Sequence, residues 1–230
     1  MKGIRLLAAV LSLAFICTGC VLWDGIRGCP DGIIDWADVL MVDDIKYMGD
    51  FNRKEDDPLP EAGDRLGKVT YTLDGHACSN HKLRNGEASY VPVGTEIFAV
   101  EGYKPEFRVI ADGRVFQVTD NPKAETLGDL ADIQGKVTGI SVHSDEDDSP
   151  LGELNAEQSA VFLDEYLSLP YEGDVEETAP YKRNNRVILY FHLKDGSSYH
   201  TIYVLDENII GNEAHGTESM KEMIEVFLDE

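Results

Sequence analysis

Arg186-Val187-Ile188-Leu189-Tyr190-Phe191-His192-Leu193-Lys194-Asp195-Gly196-Ser197-Ser198-Tyr199-His200-Thr201-Ile202-Tyr203-Val204 is the stretch that decides the fold. Stretches rich in β-branched and aromatic residues lie on both sides of Asp195-Gly196, which predicts a β-hairpin. Read as a two-residue type I′ turn, Asp-Gly sets the register. Val187, Leu189 and Phe191 then share a face with His200, Ile202 and Val204, while Ile188, Tyr190 and His192 share the other with Tyr199, Thr201 and Tyr203. The first face is expected to be core, with His200 a structural histidine on it. Tyr190, His192, Tyr199 and Tyr203 form a candidate binding face, since aromatics with polar tips suit contact with protein or glycan. The competing expectation is that helices cover that second face as a packing layer.

Helices are expected on both sides of the hairpin. Asn155 and Gln158 make a capping box, and Ala156, Ala160, Leu163 and Leu167 follow helical spacing, so a helix spans about 156 to 168 before Pro170. Ser219 with Glu222 matches a second capping box, ahead of an apolar stripe of Met220, Met223, Ile224, Phe227 and Leu228. Further upstream the pattern is β-rich. Val39, Met41, Asp43, Ile45 and Tyr47 alternate as one strand, Arg53 to Asp64 reads as a charged loop, and Val69, Tyr71 and Leu73 alternate again. A turn at Val91 to Thr95 feeds a strand, and Asp112-Gly113 between Arg108–Ala111 and Arg114–Val118 is a type I′ hairpin. The fold class is therefore α+β: an antiparallel β-rich unit over 39–122, followed by an α+β unit over 123–230 with two helices packing on a β-hairpin sheet. The two units could equally form one compact domain.

The N-terminus carries the clearest address. Lys2 and Arg5 precede an apolar run from Leu6 to Ile16 and then Cys17-Thr18-Gly19-Cys20. An eleven-residue apolar run is too short for a helix to cross a hydrocarbon core of roughly 30 Å, so the pattern is that of an export leader. Thr18-Gly19-Cys20 resembles the lipobox of bacterial lipoproteins, with Cys17 where an aliphatic residue is usual. The resemblance implies removal of residues 1–19, diacylglycerol on Cys20, a tether over 20–38, and a protein anchored on the extracytoplasmic side of the cell membrane.

Charge narrows the partners. The chain of 230 residues holds 43 Asp and Glu against 20 Lys and Arg, and a leader containing two bases and no acid makes the mature protein more acidic still. Nucleic acid is excluded as a partner, and the lipid must supply attachment to an anionic surface.

Export leaves Cys29 and Cys78 as one pair available for a disulfide besides Cys20. The alternative makes His76, Cys78 and His81 a cation site, as imidazole and thiolate at close spacing suit zinc or copper. The acidic loop Asp145 to Asp148 is a second cation candidate, without the spacing of an EF-hand. The sequence lacks the Gly-x-Ser-x-Gly, His-Glu-x-x-His, P-loop and dinucleotide patterns, so no catalytic residue and no cofactor are assigned.

Leu66 to Gln117, with Leu66-Gly67-Lys68-Val69-Thr70-Tyr71, Asn85-Gly86-Glu87-Ala88-Ser89-Tyr90, Pro92-Val93-Gly94-Thr95-Glu96-Ile97 and Val100-Glu101-Gly102-Tyr103, resembles uncharacterised lipoproteins of Bacillus- and Paenibacillus-type Gram-positive bacteria. The resemblance implies a cell-surface lipoprotein and carries over no site. The expected function is a non-catalytic binding or interaction module whose partner is an envelope protein or polymer. Cation binding, and then hydrolysis of an envelope polymer, are the alternatives.

Overall fold

The structure is a computed structural model, and it describes residues 35–49, 59–173, 175, 185–211 and 213–228. Cys20 and Cys29, with the leader and most of the tether, lie outside them. The first unit holds β1 (Val39–Val42), β2 (Ile45–Gly49), β3 (Ala62–Lys68), β4 (Tyr71–Thr72), β5 (Glu87–Ala88), β6 (Glu96–Val100), β7 (Arg108–Ala111) and β8 (Arg114–Asp120). These form one sheet in the order β3-β6-β7-β8-β2-β1-β5-β4, antiparallel except between β4 and β5. Its two edge strands are separated in sequence only by Val69 and Thr70, so the sheet must curl back on itself.

The second unit adds α1 (Leu127–Leu130), β9 (Val137–Ser144), β10 (Pro150–Glu153), α2 (Ala156–Ser168), β11 (Arg186–Leu193), β12 (Ser198–Val204), β13 (Ile209–Ile210), β14 (Ala214–His215) and α3 (Glu218–Glu225). Its six strands run antiparallel in the order β10-β9-β11-β12-β13-β14. The fold is α+β, as the alternation and capping patterns predict. Buried side chains from both units, among them Phe116, Phe107, Tyr199 and Phe191, belong to one continuous core. Among the described residues no helix is long and apolar enough to cross a membrane.

Local chemistry accounts for most elements. The Asn155 side chain accepts from the backbone N–H groups of Glu157 and Gln158, and Gln158 reaches back to the Asn155 N–H, so α2 starts where its capping box places it. The cap of α3 is Thr217, whose hydroxyl accepts from Met220 N–H. The expected Ser219 box sits two residues inside the helix. Thr217 also donates to Glu165 of α2, tying the helices together. α1 escaped the sequence reading because one turn carries too few residues to show a period. It is held by a Thr126/Asp129 capping box and packs so closely on α2 that a methyl group on Gly128 would lie 2.7 Å from the Leu167 carbonyl oxygen. Gly128→Ala is therefore expected to cost about 1–3 kcal/mol through forced separation of α1 and α2, measurable by urea denaturation.

Two expectations about registers are corrected. The alternating run from Val39 to Tyr47 is two strands, because Asp43 and Asp44 both adopt positive φ (52° and 67°) and make a type I′ turn that pairs Val42 with Ile45. Asp is among the few residues besides Gly that tolerate that region. At Asp112-Gly113 the expected I′ hairpin is found, with φ of 53° and 67° and Ala111 opposite Arg114.

The hairpin of β11 and β12 departs by one residue. Its loop is Lys194-Asp195-Gly196: Leu193 N–H donates to the Ser197 carbonyl, Gly196 N–H to the Leu193 carbonyl, and only Gly196 has positive φ (85°). This is the three-residue loop with glycine in the left-handed position, and Asp195 stabilises it by accepting from Ser197 N–H and Oγ–H. Leu189 consequently faces Thr201, Phe191 faces Tyr199 and Val187 faces Tyr203. A one-residue slip turns every β12 side chain over. Tyr199 and Tyr203 therefore lie in the core, 2% and 0% exposed, beneath α2 and α3. The Tyr166 and Tyr199 hydroxyls share a 2.6 Å hydrogen bond, and the rings of Phe162 and Tyr166 stand 6.3 and 4.9 Å from that of Phe191.

Candidate functional site

The register change divides the expected binding face. Tyr190 and His192 remain on the side away from the helices, where His200 now joins them, while Tyr199 and Tyr203 are inside. His143 of β9 completes the cluster: the Tyr190 ring lies 4.5 Å from His143, 5.7 Å from His200 and 6.5 Å from His192. Ser141 Oγ bridges His143 Nε2 at 3.1 Å and His192 Nε2 at 2.8 Å.

The directions of these bonds follow from chemistry. His143 Nδ1 faces the Asp148 carbonyl oxygen at 2.9 Å, and a carbonyl only accepts, so Nδ1 carries the proton. In neutral His143, Nε2 is then an acceptor and Ser141 donates to it. With one proton already committed, Ser141 must accept from His192 Nε2–H. The serine is 3% exposed and sits within a strand, so it is a joint between β9 and β11. His143 and Ser141 lie about fifty residues from His192 in sequence and carried no local signal.

The cation candidates are dispersed. Cys78 is disulfide-bonded, so its sulfur is no thiolate ligand, and its expected partner Cys29 lies outside the described residues. His76 is hydrogen-bonded through Nδ1 to the Asp74 carbonyl, and His81 Nε2 meets Glu87 at 2.7 Å. In the acidic loop, Asp145 pairs with Arg186, Asp147 caps Ser149, and Asp148 accepts from Tyr190. Among the described residues no group of three or more His, Cys, Asp or Glu is placed to hold a metal ion.

A cleft of about 550 Å³ opens where the two sheets meet, between β2 and β8 on one side and β12 with the β13–β14 turn on the other. That volume is in the range of small-molecule sites. The sheets are tied together beside this point through the side of β12 away from β11: Gln117 donates to the His200 carbonyl, and Arg108 donates to Ser198 O and Ser197 Oγ. β13 is only two residues long and covers just Tyr203 and Val204, so the preceding part of β12 is left without a strand partner on that side.

Glu213 forms the floor. Gly211, at φ 63°, turns the chain so that its N–H donates to Ile202 O, and Glu213 N–H closes the turn on Ile210 O. A side chain at position 211 would force its neighbours to shift, since its first carbon would stand 2.7 Å from Thr201 Oγ1 and 2.9 Å from Glu213 Oε2. Glu213 is 8% exposed and its Oε2 is buried without a hydrogen-bond partner among the described residues. Burial, reinforced by the negative charge of Asp120, pushes its carboxyl up to about 8. The group is therefore largely a neutral acid near pH 7.

Asp120 stands at the mouth, at the end of β8 and opposite Lys46 in register. Its Oδ1 accepts from the Tyr171 hydroxyl at 2.8 Å, and burial together with that contact raises the phenol above its ordinary range. The cleft thus passes from an exposed carboxylate to a buried, protonated one. Sequence reading could not single out Glu213, which was one acid among 43. The available signal was local: Gly211-Asn212-Glu213 is a turn signature next to the apolar pair Ile209-Ile210.

Comparison with protein-family models, with curated proteins and with solved structures gives no match.

Proposed function

We propose that this chain is a lipid-anchored, extracytoplasmic binding module of the bacterial cell envelope, and that the cleft floored by Glu213 is where it holds its ligand. The observation that carries the binding reading is a cleft of about 550 Å³ between the two sheets, with the largely buried residue Glu213 in its lining. The anchoring reading is supported by the leader pattern and Thr18-Gly19-Cys20. Two acyl chains at about 0.8 kcal/mol per buried methylene suffice for stable attachment.

The test places a photo-crosslinking amino acid at Lys46, on the cleft mouth, and in a control at Val226, exposed at the C-terminal cap of α3 and outside the cleft lining. On intact cells, position 46 is expected to recover a specific envelope component that position 226 does not. Equal recovery at both positions, or none at 46 above background, overturns the reading. Anchoring is read separately: an alkyne fatty acid is expected to label the protein, and Cys20→Ala to abolish that label.

A further inference from the structure

We propose that the loop from Tyr90 to Gly94, with Trp36 beside it, is a tip that rests in the headgroup layer of the bilayer holding the Cys20 lipid. This rests on the lipid-anchored reading and goes beyond it, by assigning the face that the anchored domain turns to its membrane.

The chain enters the described fold at this corner. The Tyr90 hydroxyl donates to the Trp36 carbonyl at 2.8 Å and Ser89 Oγ–H to the Ala37 carbonyl at 2.6 Å, so residues 36 and 37 run beside the start of the loop. Asp74 N–H donates to Ser89 O, which brings the segment carrying Cys78 alongside as well. Cys78 is disulfide-bonded, and the other cysteines of the chain stand at 17, 20 and 29, so both connections to the N-terminal segment leave from one corner. With the Cys20 sulfur in a thioether and the leader removed, Cys29 is the cysteine left for that bridge. Nine residues then lead from the lipid to the bridge, and at about 3.3–3.6 Å per residue they reach no further than roughly 30 Å. A domain of this size is roughly 40 Å across. The opposite end therefore cannot meet the bilayer while the corner stays within reach of the lipid.

The surface at this corner suits a bilayer interface. Val93 is 64% exposed and Tyr90 38%, with Pro92 exposed between them. The other exposed large apolar residues among those described, Leu59, Leu151, Val161 and Val226, stand singly on four separate stretches, as isolated surface residues commonly do. Tyr and Trp, apolar rings with one polar group, favour the headgroup level. Ala88 to Thr95 carries no charged residue in a chain of net charge -23, so this loop meets an anionic surface without the repulsion that an acidic surface feels. Asp35 and Asp74, exposed at its border, limit the depth, because a carboxylate resists entering hydrocarbon. The loop is held in shape by Gly94 N–H on Val69 O, Thr95 N–H on Pro92 O and the Thr72 hydroxyl on Val91 O, so it has little freedom to lose on seating.

The experiment uses the full acylated chain, purified in mild detergent and reconstituted on vesicles of phosphatidylcholine and phosphatidylglycerol. A polarity-sensitive fluorescent amino acid is placed at Val93 and, as a control, at Val161 on α2, which is exposed as well. Position 93 is expected to shift to the blue and to lose at least half of its emission when the vesicles carry brominated phosphatidylcholine, while position 161 keeps at least nine-tenths. Pro92→Asp is expected to relieve the quenching at 93 and to leave co-flotation of chain and vesicles unchanged. Equal quenching at both positions, quenching at 93 that survives Pro92→Asp, or none at 93 in a chain that co-floats overturns the tip and leaves the anchor standing. A chain that does not co-float removes the anchor, and the tip falls with it. On intact cells a photo-crosslinker at position 93 is expected to join lipid; capture of a protein and no lipid makes the loop a protein contact and overturns the proposal.

Discussion

Glu213→Gln is expected to stabilise the protein by about 3 kcal/mol at pH 7, with the difference disappearing toward pH 4.5. The sign follows from proton linkage. The Glu213 carboxyl has a value of 4.5 in an ordinary setting and about 8 in the folded protein, because the cleft floor desolvates it and Asp120 repels its charge. Between those values the folded state binds a proton that the unfolded state has released. Stability from this group is thus fully present below about 4.5 and is lost as pH rises through about 8, with a slope near 1.4 kcal/mol per pH unit between them. Glutamine has the shape of the protonated acid and cannot ionise, so its folded state escapes that loss. Urea denaturation at pH 4.5, 6, 7 and 8 is the measurement. Curves that stay parallel across this range would show that Glu213 is not held protonated.

Arg108→Ala is expected to cost about 3–5 kcal/mol, since it removes two short hydrogen bonds from a charged donor, each worth about 1.5–3 kcal/mol. Arg108 is 2% exposed on β7, with one guanidinium nitrogen on Ser197 Oγ at 2.9 Å and the other on Ser198 O and, at 3.3 Å, Gln117 Oε1. Its guanidinium carbon lies 4.8 Å from the Phe107 ring centroid and 5.5 Å from that of Tyr103. The fork clamps the first sheet to the β11–β12 turn beside the cleft. Lysine keeps the charge but not the planar fork, so Arg108→Lys is expected to recover less than half of the loss. A shift of less than 1 kcal/mol in Arg108→Ala would mean that the sheets are held by apolar burial alone.

The legible parts of this protein share one property: their causes are local. Asn155 and Gln158 cap α2 with groups three residues apart, and Asp112-Gly113 supplies both positive φ values of its own hairpin. The Asp43-Asp44 turn was equally local but was hidden, because each Asp fitted the alternation of a continuous strand. At Lys194-Asp195-Gly196 the turn dipeptide was recognised and its loop length was not. That single residue decided whether Tyr199 and Tyr203 were a surface or a core.

The candidate site was illegible for the opposite reason. Lys46, Asp120, Tyr171, Thr201 and Glu213 come from five separate stretches, and none is unusual where it stands in the chain. A carboxylate becomes an acid that holds its proton only through desolvation and a neighbouring charge, and both come from residues distant in sequence. From the sequence alone come the α+β class, the acidity of the chain, the positions of the two main helices, and the existence of the two Asp-Gly hairpins, since each depends on composition or on spacing within a few residues. Tertiary structure alone decided which side of β12 is core, where the two sheets leave a cleft, and which of 43 acids lies buried in it, because those depend on a one-residue register and on contacts made only when the chain closes.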